Sequence, residues 1–128
     1  MKKTLIFTVI LGLLTIWGCN RKNSKEFNYV SISMEEAKSR LETEKGYILV
    51  DVRTPEEYSE GHIPGAINIP NEIISDSEPE ELPDKKQLIF VYCRSGRRSK
   101  EAAGKLVKMG YENIVEIGGI LDWKWNLE

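Results

Sequence analysis

Cysteine and histidine are the scarce residues of this chain. Its 128 residues include two cysteines, Cys19 and Cys93, and one histidine, His62. Two cysteines cannot build the set of disulfides that holds together many small secreted domains. Together with one histidine they also supply too few soft ligands for a tetrahedral metal site. We therefore expect a domain that folds around a hydrophobic core and requires no metal and no other cofactor.

An excess of charge of either sign is also missing. The chain has 18 lysines and arginines against 20 aspartates and glutamates, which gives a formal net charge of −2. This mild acidity argues against a general nucleic-acid-binding protein, for which a broad basic surface is expected. The composition is that of an ordinary globular protein, with 41% hydrophobic and 30% charged residues. A chain of this length predicts one domain.

Only one long apolar run is present, and it lies at the start of the chain. Residues 4–17 (TLIFTVILGLLTIW) carry no charge and follow a short basic segment that contains Lys2 and Lys3. The run is short for a helix that crosses a membrane, which needs about 20 apolar residues. Its basic start and its length are typical of a signal peptide that is removed after export.

The residues after this run resemble the lipobox of bacterial lipoproteins. An aliphatic Ile16 stands three positions before Cys19, and a small Gly18 stands directly before it, although Trp17 departs from the usual small residue. We predict a lipoprotein signal peptide over residues 1–18, a lipidated Cys19, and a flexible polar tether over residues 19–28. The alternatives are an uncleaved anchor, or an ordinary cleavage that leaves Cys19 as a free thiol. Each alternative places the domain at the bacterial cell envelope, on the extracytoplasmic or periplasmic side of a membrane.

From residue 29 onward, short apolar runs alternate with helical patterns. The helical starts have capping-box spacing, with Ser33 before Glu36 and Thr54 before Glu57, and a third helix is expected over residues 99–109. Strands and helices that alternate in this way predict an α/β domain with a parallel sheet and helices on both faces. We expect this domain to span residues 29–128. The predicted strands cover residues 29–32, 47–52, 66–69, 88–92 and 114–117.

The most informative segment follows the fourth predicted strand. Cys93 comes directly after residues 88–92 (LIFVY), and the loop 93–98 (CRSGRR) then leads into the helix 99–109. Ligands of open parallel sheets bind beyond the carboxyl ends of the strands, where this loop must lie. The start of a helix offers free backbone N–H groups and the positive end of the helix dipole, and both bind anions.

The side chains of the loop suit a negatively charged sulfur. Gly96 permits backbone conformations that a side chain would obstruct, and Ser95 and Ser99 offer hydroxyl donors. This setting favours a thiolate that is nucleophilic near neutral pH. The alternative is a buried, inert thiol beside a solvated basic loop or a phosphate-binding patch. Positive charge would come from three arginines: Arg94, Arg97 and Arg98.

Several residues outside the loop have expected supporting roles. Asp51 and Arg53 end a predicted central strand at the same edge of the sheet, so we expect them to brace neighbouring loops. His62 precedes a Pro-Gly pair and is expected in a structural turn rather than in catalysis. Trp123 and Trp125 fall in a predicted closing helical turn and are expected to pack against the core.

These segments together resemble a single-domain rhodanese. The similarity rests on residues 51–58 (DVRTPEEY), 61–70 (GHIPGAINIP), the Cys93 loop, and Gly118-Gly119 with Trp123. The resemblance implies a three-layer α/β/α fold around a five-stranded parallel sheet. It also implies a thiosulfate-type sulfurtransferase in which Cys93 cycles between thiolate and persulfide. The implied partners are a small anionic sulfur donor such as thiosulfate, and cyanide, a thiol or a protein as the acceptor.

Two alternative functions follow from the same motifs. Related phosphatases of the Cdc25 type place an arginine after five intervening residues, whereas Arg98 follows Cys93 after four and the next position is Ser99. The loop is therefore one residue too short for phosphatase or arsenate reductase chemistry of that kind. A second alternative is a module that carries or senses sulfur for an envelope partner without turnover.

Overall fold

The computed structural model describes residues 27–128. The predicted signal peptide, Cys19 and most of the predicted tether lie outside the described residues. No helix within residues 27–128 is both long and apolar enough to cross a membrane. The strands are β1 (Val30–Ser31), β2 (Ile48–Asp51), β3 (Ile67–Asn68), β4 (Ile89–Cys93) and β5 (Ile114–Gly119), and the helices are α1 (Met34–Thr43), α2 (Pro55–Ser59) and α3 (Arg97–Lys108). Two short 3₁₀ turns cover Asn71–Ile73 and Ile120–Asp122.

The five strands form one parallel sheet in the order β1-β5-β4-β2-β3. Strand β4 lies at the centre, and all five of its residues are buried. Near its end the β4–β5 register shifts, so that Cys93 is paired with Gly119. The predicted α/β class and the five-stranded parallel sheet are confirmed.

Side chains of the central strand alternate between two hydrophobic clusters, one on each face of the sheet. Ile89, Val91 and Cys93 belong to the cluster that contains the inner face of α3. Phe90 and Tyr92 belong to the second cluster, against which α1 and α2 pack. This alternation follows from the two-residue repeat of a strand. The domain therefore has the three layers expected, and β4 delivers Cys93 toward α3.

Local sequence signals set the helix starts on the α1 and α2 side. The Ser33 hydroxyl accepts a hydrogen bond from the Glu36 amide at 3.1 Å. Thr54 and Glu57 form a reciprocal capping box, with Pro55 as the first helical residue. These contacts satisfy amide groups that a helix start leaves without a partner. Both predicted helix starts are confirmed.

Several predicted boundaries were wrong, and the errors at the start of α3 and the end of β5 adjoin the Cys93 loop. Helix α3 begins at Arg97 rather than Ser99, because Gly96 adopts φ +114° and turns the chain into the helix at once. Strand β5 continues to Gly119 rather than ending at residue 117, since Gly119 pairs with Cys93. The last 3₁₀ turn ends at residue 122, so the two tryptophans follow it. Trp123 packs on the core, whereas Trp125 is 38% exposed and contacts the Trp123 ring.

Candidate active site

Cys93 ends the central strand and lies beneath the loop that follows it. The residue is only 1% exposed and is a free thiol. Its Sγ accepts a hydrogen bond from the Gly96 amide at 3.0 Å and lies 3.4 Å from Ser99 Oγ. The loop thus folds back over the sulfur that precedes it and places a backbone donor directly on it.

The first turn of α3 adds further donors beside this contact. Within residues 27–128, the amide groups of Arg97, Arg98 and Ser99 donate no hydrogen bond. Amides at the start of a helix are left unpaired by the helix itself and attract anions. Together with the Gly96 amide they provide a set of fixed donors for a negatively charged group at the end of β4.

Two glycines allow the loop to take this shape. Gly96 needs its positive φ, which side chains rarely adopt. Gly119 is needed for a different reason, because a Cβ there would lie 2.1 Å from the Arg94 carbonyl oxygen and 2.5 Å from Ser95 Cα. The Leu121 amide donates to the same Arg94 oxygen at 3.2 Å. The end of β5 therefore forms a close-fitting wall for the Cys93 loop.

Arg98 is the loop arginine with a fixed, partly buried side chain. Its guanidinium forms two hydrogen bonds to the Glu57 carboxylate, at 2.8 and 3.0 Å, which fix it between α3 and α2. Hydrogen bonding to Arg98 lowers the pKa of Glu57 to about 2. The hydrogen bond to Glu57 raises the pKa of Arg98, and Cys93 makes a smaller electrostatic contribution in the same direction. Arg98 is thus held in place by a carboxylate from α2.

The other predicted loop residues are arranged differently. Arg97 pairs with Glu101 at 2.8 Å, and its side chain is 73% exposed. Arg94 is exposed and lines a groove of about 330 Å³ together with Arg53 and Leu121. Ser95 is also exposed. The structure therefore brings Gly96, Arg98 and Ser99 to Cys93, and it places Arg94, Ser95 and Arg97 toward solvent.

Asp51 and Arg53 form a buried ion pair at the end of β2. Arg53 Nη2 lies 2.6 Å from Asp51 Oδ2, and Arg53 Nε lies 3.0 Å from both carboxylate oxygens. The same guanidinium donates to the Gly61 carbonyl at 2.7 Å. The pair therefore ties the end of the strand to the turn that follows α2, which is a bracing arrangement.

His62 belongs to that turn. Its ring stacks on Tyr58 with the ring centroids 3.8 Å apart, and its Nδ1 lies 3.0 Å from the Tyr58 carbonyl oxygen. Its backbone exchanges two hydrogen bonds with Glu128. Within residues 27–128, no group of three or more histidine, cysteine, aspartate and glutamate side chains is placed to hold a metal ion.

Comparison with known proteins decides the family. The model of the rhodanese-like domain matches residues 33–125. The chain belongs to the rhodanese-like domain family. Among its relatives, a thiosulfate sulfurtransferase of Escherichia coli is 41% identical over 73 residues, which cover 57% of this chain and 70% of that protein. A thiosulfate:glutathione sulfurtransferase of Saccharomyces cerevisiae is 33% identical over 126 residues, which cover 88% of this chain and 91% of that protein.

Solved structures agree with this assignment. A crystal structure of a rhodanese-like domain protein from Staphylococcus aureus superposes with a TM-score of 0.66 at 33% identity, over 77% of this chain and 96% of that one. The expected family and fold are therefore confirmed, and the chain is a member of a family of rhodanese-like sulfurtransferases.

One charged residue of this rhodanese-like domain escaped the sequence analysis. Glu116 lies in the middle of β5 and is only 1% exposed. Its Oε2 accepts hydrogen bonds from Ser99 Oγ at 2.5 Å and from the Gly118 amide at 2.8 Å. A signal was present, because a glutamate inside the apolar segment 114–117 (IVEI) must be buried in a central strand of an α/β sheet.

Proposed function

We propose that this protein is a thiosulfate-type sulfurtransferase in which Cys93 carries sulfur as a persulfide. The observation that supports this best is the hydrogen bond from the Gly96 amide to Cys93 Sγ at 3.0 Å. It is reinforced by the unpaired amides at the start of α3 and by the charge of Arg98. Fixed donors aimed at a sulfur stabilise a thiolate before reaction and a persulfide anion after it.

The proposed reaction has two displacement steps at sulfur. Cys93 Sγ attacks the outer sulfur of thiosulfate, the S–S bond of the donor breaks, and sulfite leaves with the electron pair. A thiolate acceptor or cyanide then attacks the outer sulfur of the persulfide, and Cys93 leaves as a thiolate. No external oxidant or reductant is needed, because the sulfur moves at a constant oxidation level between two nucleophiles.

The names of the relatives and the loop length support sulfur as the transferred group. The E. coli and S. cerevisiae relatives carry thiosulfate sulfurtransferase names. Four residues separate Cys93 from Arg98, so the loop is one residue shorter than that of Cdc25-type phosphatases. Phosphatase and arsenate reductase chemistry are therefore the weaker alternatives.

The proposed location is the bacterial cell envelope, with Cys19 lipidated and the domain facing the extracytoplasmic or periplasmic side. The support comes from the apolar segment and the lipobox-like residues that precede Cys19. Incorporation of a labelled lipid precursor tests this proposal, with a Cys19→Ala variant as the matched control. Equal labelling of both proteins, or none in either, contradicts it.

The test of sulfur transfer uses the full-length protein and thiosulfate. We expect the Cys93 peptide to gain the mass of one sulfur atom, and we expect the protein to turn over with cyanide or a dithiol. A Cys93→Ser variant should show neither effect. Loading without turnover would favour the sulfur-carrier or sensing module, and absence of loading with turnover equal to that of the variant would exclude the enzyme.

A further inference from the structure

The proposed transfer makes no use of Glu116, the buried carboxylate beneath the loop. Each polar contact of this carboxylate comes from a donor or a cation. Ser99 Oγ and the Gly118 amide contact Oε2, the Ser31 hydroxyl donates to Oε1 at 2.9 Å, and Lys100 Nζ lies 3.7 Å from Oε1. The hydroxyls can also accept a hydrogen bond, but the Gly118 amide and the Lys100 ammonium can only donate, and they lie at different oxygens of the carboxylate. These two contacts therefore fit an ionised carboxylate.

The ionised carboxylate decides where the proton of Ser99 points. Ser99 Oγ has one proton and three acceptors nearby, namely Glu116 Oε2 at 2.5 Å, the Gly96 carbonyl at 3.0 Å and the Gly118 carbonyl at 3.4 Å. The carboxylate is the closest of the three and the only charged one, so it takes the proton. The opposite side of the hydroxyl, with its lone pairs, is then left for Cys93 Sγ at 3.4 Å.

This arrangement distinguishes the two protonation states of Cys93. A thiol can donate its proton to the Ser99 lone pair, whereas a thiolate at the same distance meets a lone pair and a nearby carboxylate. Glu116 Oε2 and Cys93 Sγ are at most about 5.9 Å apart, the sum of their distances to Ser99 Oγ. A like charge at this distance disfavours ionisation of the thiol.

We propose that Glu116 is a positioning residue that acts through Ser99 to oppose the ionisation of Cys93 before sulfur is loaded. This inference deepens the proposed function, because it describes the nucleophile before sulfur is loaded. The Gly96 amide and Arg98 act in the opposite direction and favour negative charge. After persulfidation the charge lies on the outer sulfur rather than on Sγ, so the Ser99 contact no longer opposes it. Glu116 and Ser99 thus disfavour the unloaded thiolate of Cys93 without disfavouring its persulfide.

The other charged groups around the site do not supply this effect. From α3, Lys100 offsets part of the Glu116 charge from the solvent side, with its side chain 56% exposed. From α2, Glu57 is paired with Arg98. From the end of β2, Asp51 and Arg53 neutralise each other. Glu116 is therefore the carboxylate that is linked to Cys93 through a hydroxyl.

The test measures how fast iodoacetamide alkylates Cys93 as a function of pH in the full-length protein, with the Cys93 peptide followed by mass spectrometry. In a Glu116→Gln variant we expect the midpoint of the profile to fall by about one pH unit. The variant removes the like charge, while its side-chain oxygen keeps the contacts with Ser99 and the Gly118 amide and its NH2 group faces Ser31. Below the midpoint, alkylation should therefore be about tenfold faster than in the wild type.

Matched variants separate this role from a structural one. Ser31→Ala removes another partner of the same carboxylate without altering Ser99, and its midpoint should equal that of the wild type. Ser99→Ala should also lower the midpoint. A double variant that carries both Glu116→Gln and Ser99→Ala should lower the midpoint by less than the sum of the two separate effects. Thiolate absorbance in the ultraviolet, measured in a Cys19→Ala background, gives the same midpoint without requiring reagent access.

Each outcome is decisive. A rise of the midpoint in Glu116→Gln would mean that Glu116 instead accepts the thiol proton through Ser99, and this would overturn the proposal. An unchanged midpoint would leave Glu116 a purely structural role and would also overturn it. Alkylation requires no sulfur donor, so a failure here is distinguishable from a failure of sulfur transfer.

Discussion

Replacement of Gly119 by alanine should displace the Cys93 loop without straining the backbone. Gly119 has φ −122°, which alanine adopts readily, so the only cost is the space that a methyl group takes. That methyl carbon would lie 2.1 Å from the Arg94 oxygen, whereas real Cβ atoms essentially never approach a neighbour closer than 3.0 Å. The loop or the end of β5 must therefore move by at least 0.9 Å, the difference between those two distances.

The expected effects follow from the size of that movement. Forcing an extra carbon into a packed contact costs about 1–3 kcal/mol. For a domain of this size, we expect a fall in Tm of about 5–15 °C. A shift of about 1 Å in a reacting group can cost about 100-fold in rate, so kcat/KM for thiosulfate should fall by about 10- to 100-fold.

A second glycine supplies the matched control. Gly104 lies in the middle of α3, and a Cβ there would meet nothing within 4 Å. Gly104→Ala should therefore stabilise the domain by about 0.5–1 kcal/mol, because alanine is the better helix former, and sulfur transfer should not change. If Gly119→Ala keeps its Tm within about 1 °C and retains full transfer activity, the close contact between β5 and the loop does not exist as described.

Three further changes test other contacts of the site. The pKa of Glu57 is about 2 in the fold against an ordinary 4.5, so its pair with Arg98 stabilises the domain above pH 4.5 and loses this contribution as the pH falls toward 2. In urea denaturation at pH 7, the free energy of unfolding of the wild type should exceed that of Glu57→Gln by about 1–2 kcal/mol, a figure that allows for partial exposure of the pair. If the same difference persists at pH 2, the pair with Arg98 is not its cause. Asp51→Ala leaves the buried Arg53 without its carboxylate and should cost about 3–5 kcal/mol in the same assay, whereas a loss under 1 kcal/mol would mean that the pair is not buried as described. Arg97→Gln should leave the KM for thiosulfate within about twofold, and Arg98→Gln should raise it about tenfold, so equal effects would refute the distinction between the two arginines.

The fold was largely predictable because local signals agreed with the global pattern. Capping residues fixed the starts of α1 and α2, and the apolar segments fixed the three central strands. The boundaries around the Cys93 loop were not predictable in the same way. Gly96 starts α3 early through its positive φ, and Gly119 extends β5 through pairing with Cys93. Both effects depend on contacts between segments that are distant in sequence.

The candidate site was predictable in its residues but not in its electrostatics. The strand-loop-helix pattern identified Cys93 and the donors that follow it. It treated the three arginines as equivalent, because their surface partners cannot be read from spacing. The structure separates them through Glu57, which holds Arg98, and Glu101, which pairs with Arg97. Glu116 was missed because its role depends on the contact between β5 and α3.

The membership of Cys93 in the hydrophobic cluster beneath α3 links oxidative damage to the lifetime of the protein. A persulfide adds one polarizable atom to the end of β4, and an acceptor thiol can remove it. A sulfonic acid is permanent, and it would put a fixed charge and three oxygens on a side chain that is 1% exposed and belongs to the same hydrophobic cluster as Ala102 and Ala103. Such a lesion would loosen the packing between the sheet and α3. Over-oxidised molecules would then unfold more readily than intact ones, and quality-control proteases could remove them selectively.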